Sequence, residues 1–256
     1  MNRGYSVTQR TKNVKQPRGG YINPKELQTE SLGPGIETLN PAENVSPNLV
    51  GLAVDYLTRF MSGASSPEAF EISLRGAHNL GEDALAAKLL AEVKGLDDVS
   101  ITNAIKLTGF DVCYRAGLGY KPVSEIKPNQ ATIQNVKTMV ERSLHFLDVY
   151  GPKQLDGFTF EGGYTDTVST GDGDFTTAYT LWDFKVSKRK VQKEHTLQLL
   201  MYWRMGLHSV HPEFQSIKYL GIYNPRLNQV HRIAVAAIPE AVIREVEEKI
   251  IGYGMK

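Results

Sequence analysis

The chain has 256 residues, a formal net charge of +1, 41% hydrophobic and 22% charged residues, and one cysteine, Cys113. That make-up is ordinary for a globular protein with one substantial core, excludes an internal disulfide, and gives no whole-chain case for a polyanion binder. No apolar run approaches the roughly 18 residues that would span a bilayer, and Met-Asn-Arg-Gly-Tyr offers no apolar stretch for a secretory signal, so a cytoplasmic protein without a membrane partner is expected.

Residues 1–45 are rich in Gly, Pro, Asn, Thr and Lys and show little apolar periodicity, which predicts an extended basic arm with at most short structure. The arm holds Arg3, Arg10, Lys12, Lys15, Arg18 and Lys25 with no acid up to Lys25; a solvated surface accounts for such a run. A helical region follows over 46–152. Ser46-Pro47 has the N-cap and first-turn proline of a helix start. Leu49, Leu52, Ala53, Tyr56, Leu57 and Phe60 then repeat at helical spacing. Further helices are predicted over about 67–93 and 101–114. A strongly periodic one carries Ile133, Val136, Met139, Val140, Leu144 and Leu147 and ends at Gly151-Pro152.

After Pro152 the texture changes. Phe158 and Phe160 alternate with small or polar residues, and Trp182, Phe184 and Val186 alternate with Asp183 and Lys185, as half-buried strands do. A helix over 195–208, strands over 217–223 and 230–236 and a closing helix over 239–252 complete a region 153–256 in the order β-β-β-α-β-β-α. The expected fold class is α/β (α+β): a mixed central sheet flanked by helices and preceded by a helical region.

The chemistry concentrates between Gly171 and Tyr202. On neighbouring antiparallel strands, Asp174 and Asp183 emerge on one face with Cβ atoms roughly 5 Å apart. Carboxylates so close repel unless a cation lies between them, and a hard, oxygen-seeking ion such as Mg2+ suits the pair. Lys185, two residues on, shares the face of Asp183. There it can orient or help activate a water and stabilise charge building on a phosphate.

Asp174, eight intervening residues and Asp183-Phe184-Lys185 together resemble the D-(x)n-(D/E)-x-K signature of the PD-(D/E)XK nuclease superfamily. Gln198-Leu-Leu-Met-Tyr202 is similar to the Q-x-x-x-Y element of its RecB-type, lambda-exonuclease-like branch, with Gln198 and Tyr202 on one helix face. The resemblance covers about 155–236. It implies a restriction-endonuclease-like core and a nuclease acting on DNA rather than RNA. It further implies Mg2+ or Mn2+ held by Asp174, Asp183 and the Phe184 carbonyl, Lys185 at the attacking water, and Gln198 and Tyr202 turned to the site. Lys188, Arg189, Lys190 and Lys193 then become candidate phosphate contacts. With no helicase motif in the chain, any unwinding partner is a separate subunit.

Alternatives stay open. Asp166, in Gly163-Tyr-Thr-Asp166, also fits the first acid; in that register Gly171-Asp172-Gly173 is the hairpin turn, with better turn chemistry than Ala178-Tyr179. Asp174 is placed ahead because a short hairpin leading into Leu-Trp-Asp-Phe-Lys looks more like the family, and Asp172 reads as a turn residue ahead of an acid supporting the site from behind. Glu141, Glu161 and His78 are minor candidates for a further ligand, His78 reading better as a helix-surface residue. His208 and His211 read as loop residues. The bland reading makes Asp183 and Lys185 a solvated ion pair, Lys188 to Lys193 a plain loop, and the chain a catalytically inactive nucleic-acid-binding or scaffold protein of the same fold.

Overall fold

The computed structural model describes residues 4–33, 38–115 and 122–254. In chain order the elements are β1 (Tyr5–Ser6), α1 (Val7–Asn13), β2 (Gln28–Ser31), α2 (Pro47–Met61), α3 (Ser66–Ala69), α4 (Glu71–Leu80), α5 (Asp83–Ala91), α6 (Asp98–Leu107), α7 (Asp111–Arg115) and α8 (Gln130–Tyr150). Then come β3 (Leu155–Thr159), β4 (Val168–Thr170), β5 (Asp172–Thr176), β6 (Thr180–Phe184), α9 (Lys193–Leu207), β7 (Tyr219–Asn224), β8 (Gln229–Ala234) and α10 (Glu240–Glu245), which runs on as a π-helical turn over Val246–Ile251. Two compact units result. One takes Met1–Leu32, Leu147–Asn224 and Gln229–Lys256; the other takes Gly33–Phe146 and Pro225–Asn228. No helix among the described residues is long and apolar enough to cross a membrane.

The helical unit follows its sequence pattern. Ser46 Oγ accepts from Leu49 N at 3.5 Å with Pro47 in the first turn, and α2 buries Val50, Ala53, Val54 and Leu57 on one stripe. That stripe packs against α6, which buries Ile101, Ala104 and Ile105. Inside this apolar setting Asp111 is 1% exposed, and its two carboxylate oxygens accept from Tyr56 Oη (2.5 Å) and Ser73 Oγ (2.6 Å). Glu43 and Arg226 form a second buried pair at 2.8 Å, which ties the 225–228 turn into this unit.

The other unit is α/β. Its six-stranded mixed sheet has the order β2-β8-β7-β6-β5-β3, with every neighbouring pair antiparallel except β6 and β7. Parallel strands need a long crossover, and α9 supplies it. Helix α9 lies on β6 and β7, so Leu181, Trp182 and Asp183 are all buried, at 0%, 0% and 1% exposure. This corrects the expected half-buried alternation: β6 is central and covered on both faces. On the face away from Asp183, Trp182 packs edge-on to Tyr150 with ring centroids 5.1 Å apart. It also covers Gly221, where a Cβ would sit 2.4 Å from the indole.

The largest departure from the sequence reading is at the N-terminus. The expected arm is instead part of the α/β unit: Val7, Ile22 and Leu27 are buried, α1 packs on α9, β1 pairs with β4, and β2 pairs through four residues with β8. Arg10 donates to the carbonyls of Ile250 and Lys249, and Thr196 Oγ1 donates to Ile22 O at 2.7 Å. Every residue of β2 is exposed, so no apolar alternation announces it. The units divide between Phe146 and Leu147 inside α8, not at Pro152, and the helical unit starts at Gly33 rather than at 46.

Candidate active site

The site begins with a tight hairpin. Thr177 N donates to Thr180 O at 2.9 Å around Ala178-Tyr179, and Trp182 Nε1 donates to Thr177 Oγ1 at 3.0 Å from inside the core. The turn is therefore the one that keeps Asp174 on a strand. The ladder pairs Phe175 with Trp182 and Thr176 with Leu181, and one further step sets Asp174 opposite Asp183. Asp172 opens β5 two residues before Asp174, on the same face, and is exposed; it is a strand residue, which corrects its reading as a turn.

The two acids are engaged differently. Asp174 Oδ2 accepts from Phe184 N at 2.6 Å, a charge-assisted bond that fixes it across the end of β6. Asp183 is 1% exposed; Oδ1 lies 2.8 Å from Lys185 Nζ, while Oδ2 is buried with no hydrogen-bond partner. A buried carboxylate oxygen without a partner costs on the order of 1–3 kcal/mol or more, so a group that satisfies it is strongly favoured.

Lys185 N donates to Tyr223 O at 2.9 Å, which carries the strand one residue past Phe184 and keeps the side chain on the face of Asp183. Burial pushes its pKa down, but the Asp183 and Asp174 carboxylates outweigh burial, and the net shift is upward. The lysine is an ammonium.

Helix α9 brings three more groups. Gln198 Nε2 donates to Tyr202 Oη at 2.8 Å, and the Tyr202 ring stacks on Phe160 with centroids 4.9 Å apart. Burial, then Asp183 and Asp174, raise the Tyr202 phenol well above its ordinary value, so it stays protonated and able to donate. His195, in the first turn, went unremarked in the sequence. Burial and then the Lys185 charge lower its pKa, keeping the ring neutral; its Nδ1 accepts from Gln192 N at 3.2 Å. Its only signal was its place ten residues after Lys185 at the start of the next helix.

Other candidates lie outside this constellation. Asp166 is exposed in the β3–β4 connection, where its carbonyl closely faces Gly4. Glu161 is exposed after β3, and Glu141 is exposed on α8. His78 is exposed on α4 and contacts Asp83 at 3.1 Å, a helix-surface residue as expected. His208 ends α9 against Tyr253, and His211 Nε2 lies 3.1 Å from Thr159 O. Lys188, Arg189 and Lys190 are exposed on the β6–α9 loop, and Lys193 is the half-buried first residue of α9.

Among the described residues no group of three or more His, Cys, Asp or Glu side chains converges as a ready-made metal cluster. The donor set is therefore two carboxylates, one with a buried oxygen that has no partner among the described residues, and a cation placed there would need backbone oxygen and water to complete its shell. Mg2+ tolerates that arrangement because it retains several waters. No protein-family model, curated protein or solved structure matches this chain.

Proposed function

We propose that this chain is a metal-dependent nuclease that hydrolyses phosphodiester bonds of DNA, built on a restriction-endonuclease-like core. Support comes from the chain order: a strand (β3), an acidic strand (β5), the D-x-K strand (β6) and the Gln198/Tyr202 helix (α9) succeed one another as the PD-(D/E)XK resemblance implies. One observation carries the reading. A fully buried Asp183 has one oxygen on Lys185 and the other without a partner among the described residues, while a second acid, Asp174, accepts from the amide of the adjacent Phe184. A protein that only binds nucleic acid gains nothing from crowding two carboxylates there.

Asp174 and Asp183 would hold Mg2+ or Mn2+, with the Phe184 carbonyl as a further ligand by the resemblance. A divalent ion so held supplies positive charge against a phosphate and acidifies its water ligand. Lys185, kept cationic by both acids, donates to the water or to phosphate oxygens as charge builds and is poorly suited to act as a base. Gln198 and the protonated Tyr202 fix the wall formed by α9. Lys188, Arg189, Lys190 and Lys193 contact backbone phosphates.

The test is a degradation assay with Mg2+ or Mn2+ on linear and circular, single- and double-stranded DNA. Asp174→Ala, Asp183→Ala and Lys185→Ala are expected to fall to near background, a loss of roughly 10²–10⁴, while Asp166→Ala keeps activity. Cleavage surviving in Asp183→Ala overturns the assignment. Wild-type protein that binds DNA but cleaves none of these substrates with either metal leaves the inactive-binder alternative in its place.

A further inference from the structure

The N-terminal segment folds back to the first turn of α9. Gly20 N donates to Pro17 O at 2.9 Å, making a turn with Arg18 and Gly19 at its tip, and Gly19 adopts φ +92°, the left-handed geometry that glycine accepts freely. This turn lies directly on Lys193: a Cβ at Gly20 would come within 2.7 Å of Lys193 Cβ. Two residues beyond Lys193, His195 feels the charges of Lys185 and Asp183. The first turn of α9 thus lies near both Lys185 with Asp183 and the Pro17–Gly20 turn.

Charge on this rim is mostly positive, with Glu194 in the first turn of α9 as the exception. Arg18, Arg189 and Lys190 are exposed, and like Lys193 they form no ion pair among the described residues. Arg10, by contrast, is spent inside the unit on two backbone carbonyls. Like charges on neighbouring surface segments repel one another unless an anion lies between them.

We infer that the Pro17–Gly20 turn and the loop leading into α9 form one cationic rim that grips the phosphate backbone of nucleic acid beside the acid pair, with Arg18 as a contact from the far end of the chain. The choice of nucleic acid as occupant rests on the proposed nuclease function; the rim itself rests on geometry and charge. A flexible polyanion matches the row, whereas a single phosphate would use only one or two of its members.

The test is DNA binding without cleavage. Fluorescence anisotropy is followed in EDTA with a labelled duplex and a labelled single strand over a range of salt. Arg18→Ala and Lys193→Ala are each expected to weaken binding roughly 3- to 10-fold and to lower the salt slope by about one. Lys218→Ala, which removes a charge at the opposite end of β7, leaves both unchanged. Gly20→Ala keeps every charge but pushes the turn off Lys193, and is expected to reproduce the Arg18→Ala loss. Wild-type binding and slope in Arg18→Ala overturn the inference, as does the absence of DNA binding by the wild type. Because cleavage is read separately in the metal assay, a failed rim and a failed nuclease assignment give different results.

Discussion

Two aspartates, each 1% exposed, sit in the two units and are used in opposite ways. Asp111 in the helical unit has a hydroxyl on each oxygen, from Tyr56 and Ser73, so its burial is compensated and it locks α2, α4 and α7 together. Asp183 in the sheet has an ammonium on one oxygen, nothing on the other, and Asp174 opposite. Burial alone therefore does not separate a structural acid from one proposed to do chemistry. What separates them is whether the surroundings finish the hydrogen-bonding of the carboxylate or leave it open toward a second negative charge.

The widest gap between the two should appear in activity. Asp174→Asn is expected to lower cleavage at least roughly 10³-fold, about 4 kcal/mol in the barrier. It should also leave metal-free stability equal to or above wild type, since it relieves like-charge repulsion. Urea unfolding in EDTA beside the cleavage assay reads both, and a marked loss of stability would erase the distinction. Asp111→Ala is expected to do the reverse. It removes the acceptor of two buried hydroxyls and should cost about 3 kcal/mol of unfolding free energy in urea, while the folded fraction keeps its cleavage rate.

Metal binding sharpens the contrast next. Mn2+ at about 100 times its Kd adds about 2.7 kcal/mol to a protein that binds it only when folded. That gain is expected in wild type and in Asp111→Ala and is expected to vanish in Asp183→Asn, as thermal denaturation would show. An equal shift in Asp183→Asn would move the metal elsewhere.

The smallest effect concerns His231 on β8, whose Nδ1 lies 2.8 Å from Thr29 Oγ1 on β2. Burial pushes its pKa below the ordinary 6.5. The unfolded chain then binds more protons than the folded one below that pH, so stability is full above about pH 6.5 and declines as pH falls toward the folded-state pKa. His231→Gln should flatten this acid limb; an unchanged limb assigns it to other groups.

The sequence was most readable where a local rule suffices. Asp183 and Lys185 share a strand parity, Gln198 and Tyr202 share a helix face, and Ser46-Pro47 starts α2, and each lies where the local pattern put it. Burial of Asp183 was not readable, because the cover comes from α9, which returns over the strand only after a loop. Nor was the electrostatic influence of Lys185 on His195, which no spacing rule announces. The exposed strand Gln28–Ser31 lacks the alternation that marks a buried face, and its partner β8 lies some two hundred residues on. Asp172 was misread because Gly-Asp-Gly is ordinary turn chemistry, whereas Gly173 here lies under Phe158, whose ring would meet a Cβ at 2.3 Å.

Strand β2 also governs how the protein tolerates trimming. It is the outermost member of the sheet, covering β8 with polar side chains that give a neighbouring molecule little to pair with. Cutting the chain after Ser31 would bare Val230 and Arg232 along an open row of amides and carbonyls, an invitation to intermolecular strand addition. Strand β2, read from sequence as part of a loose arm, is thus what keeps that edge of β8 paired within the chain.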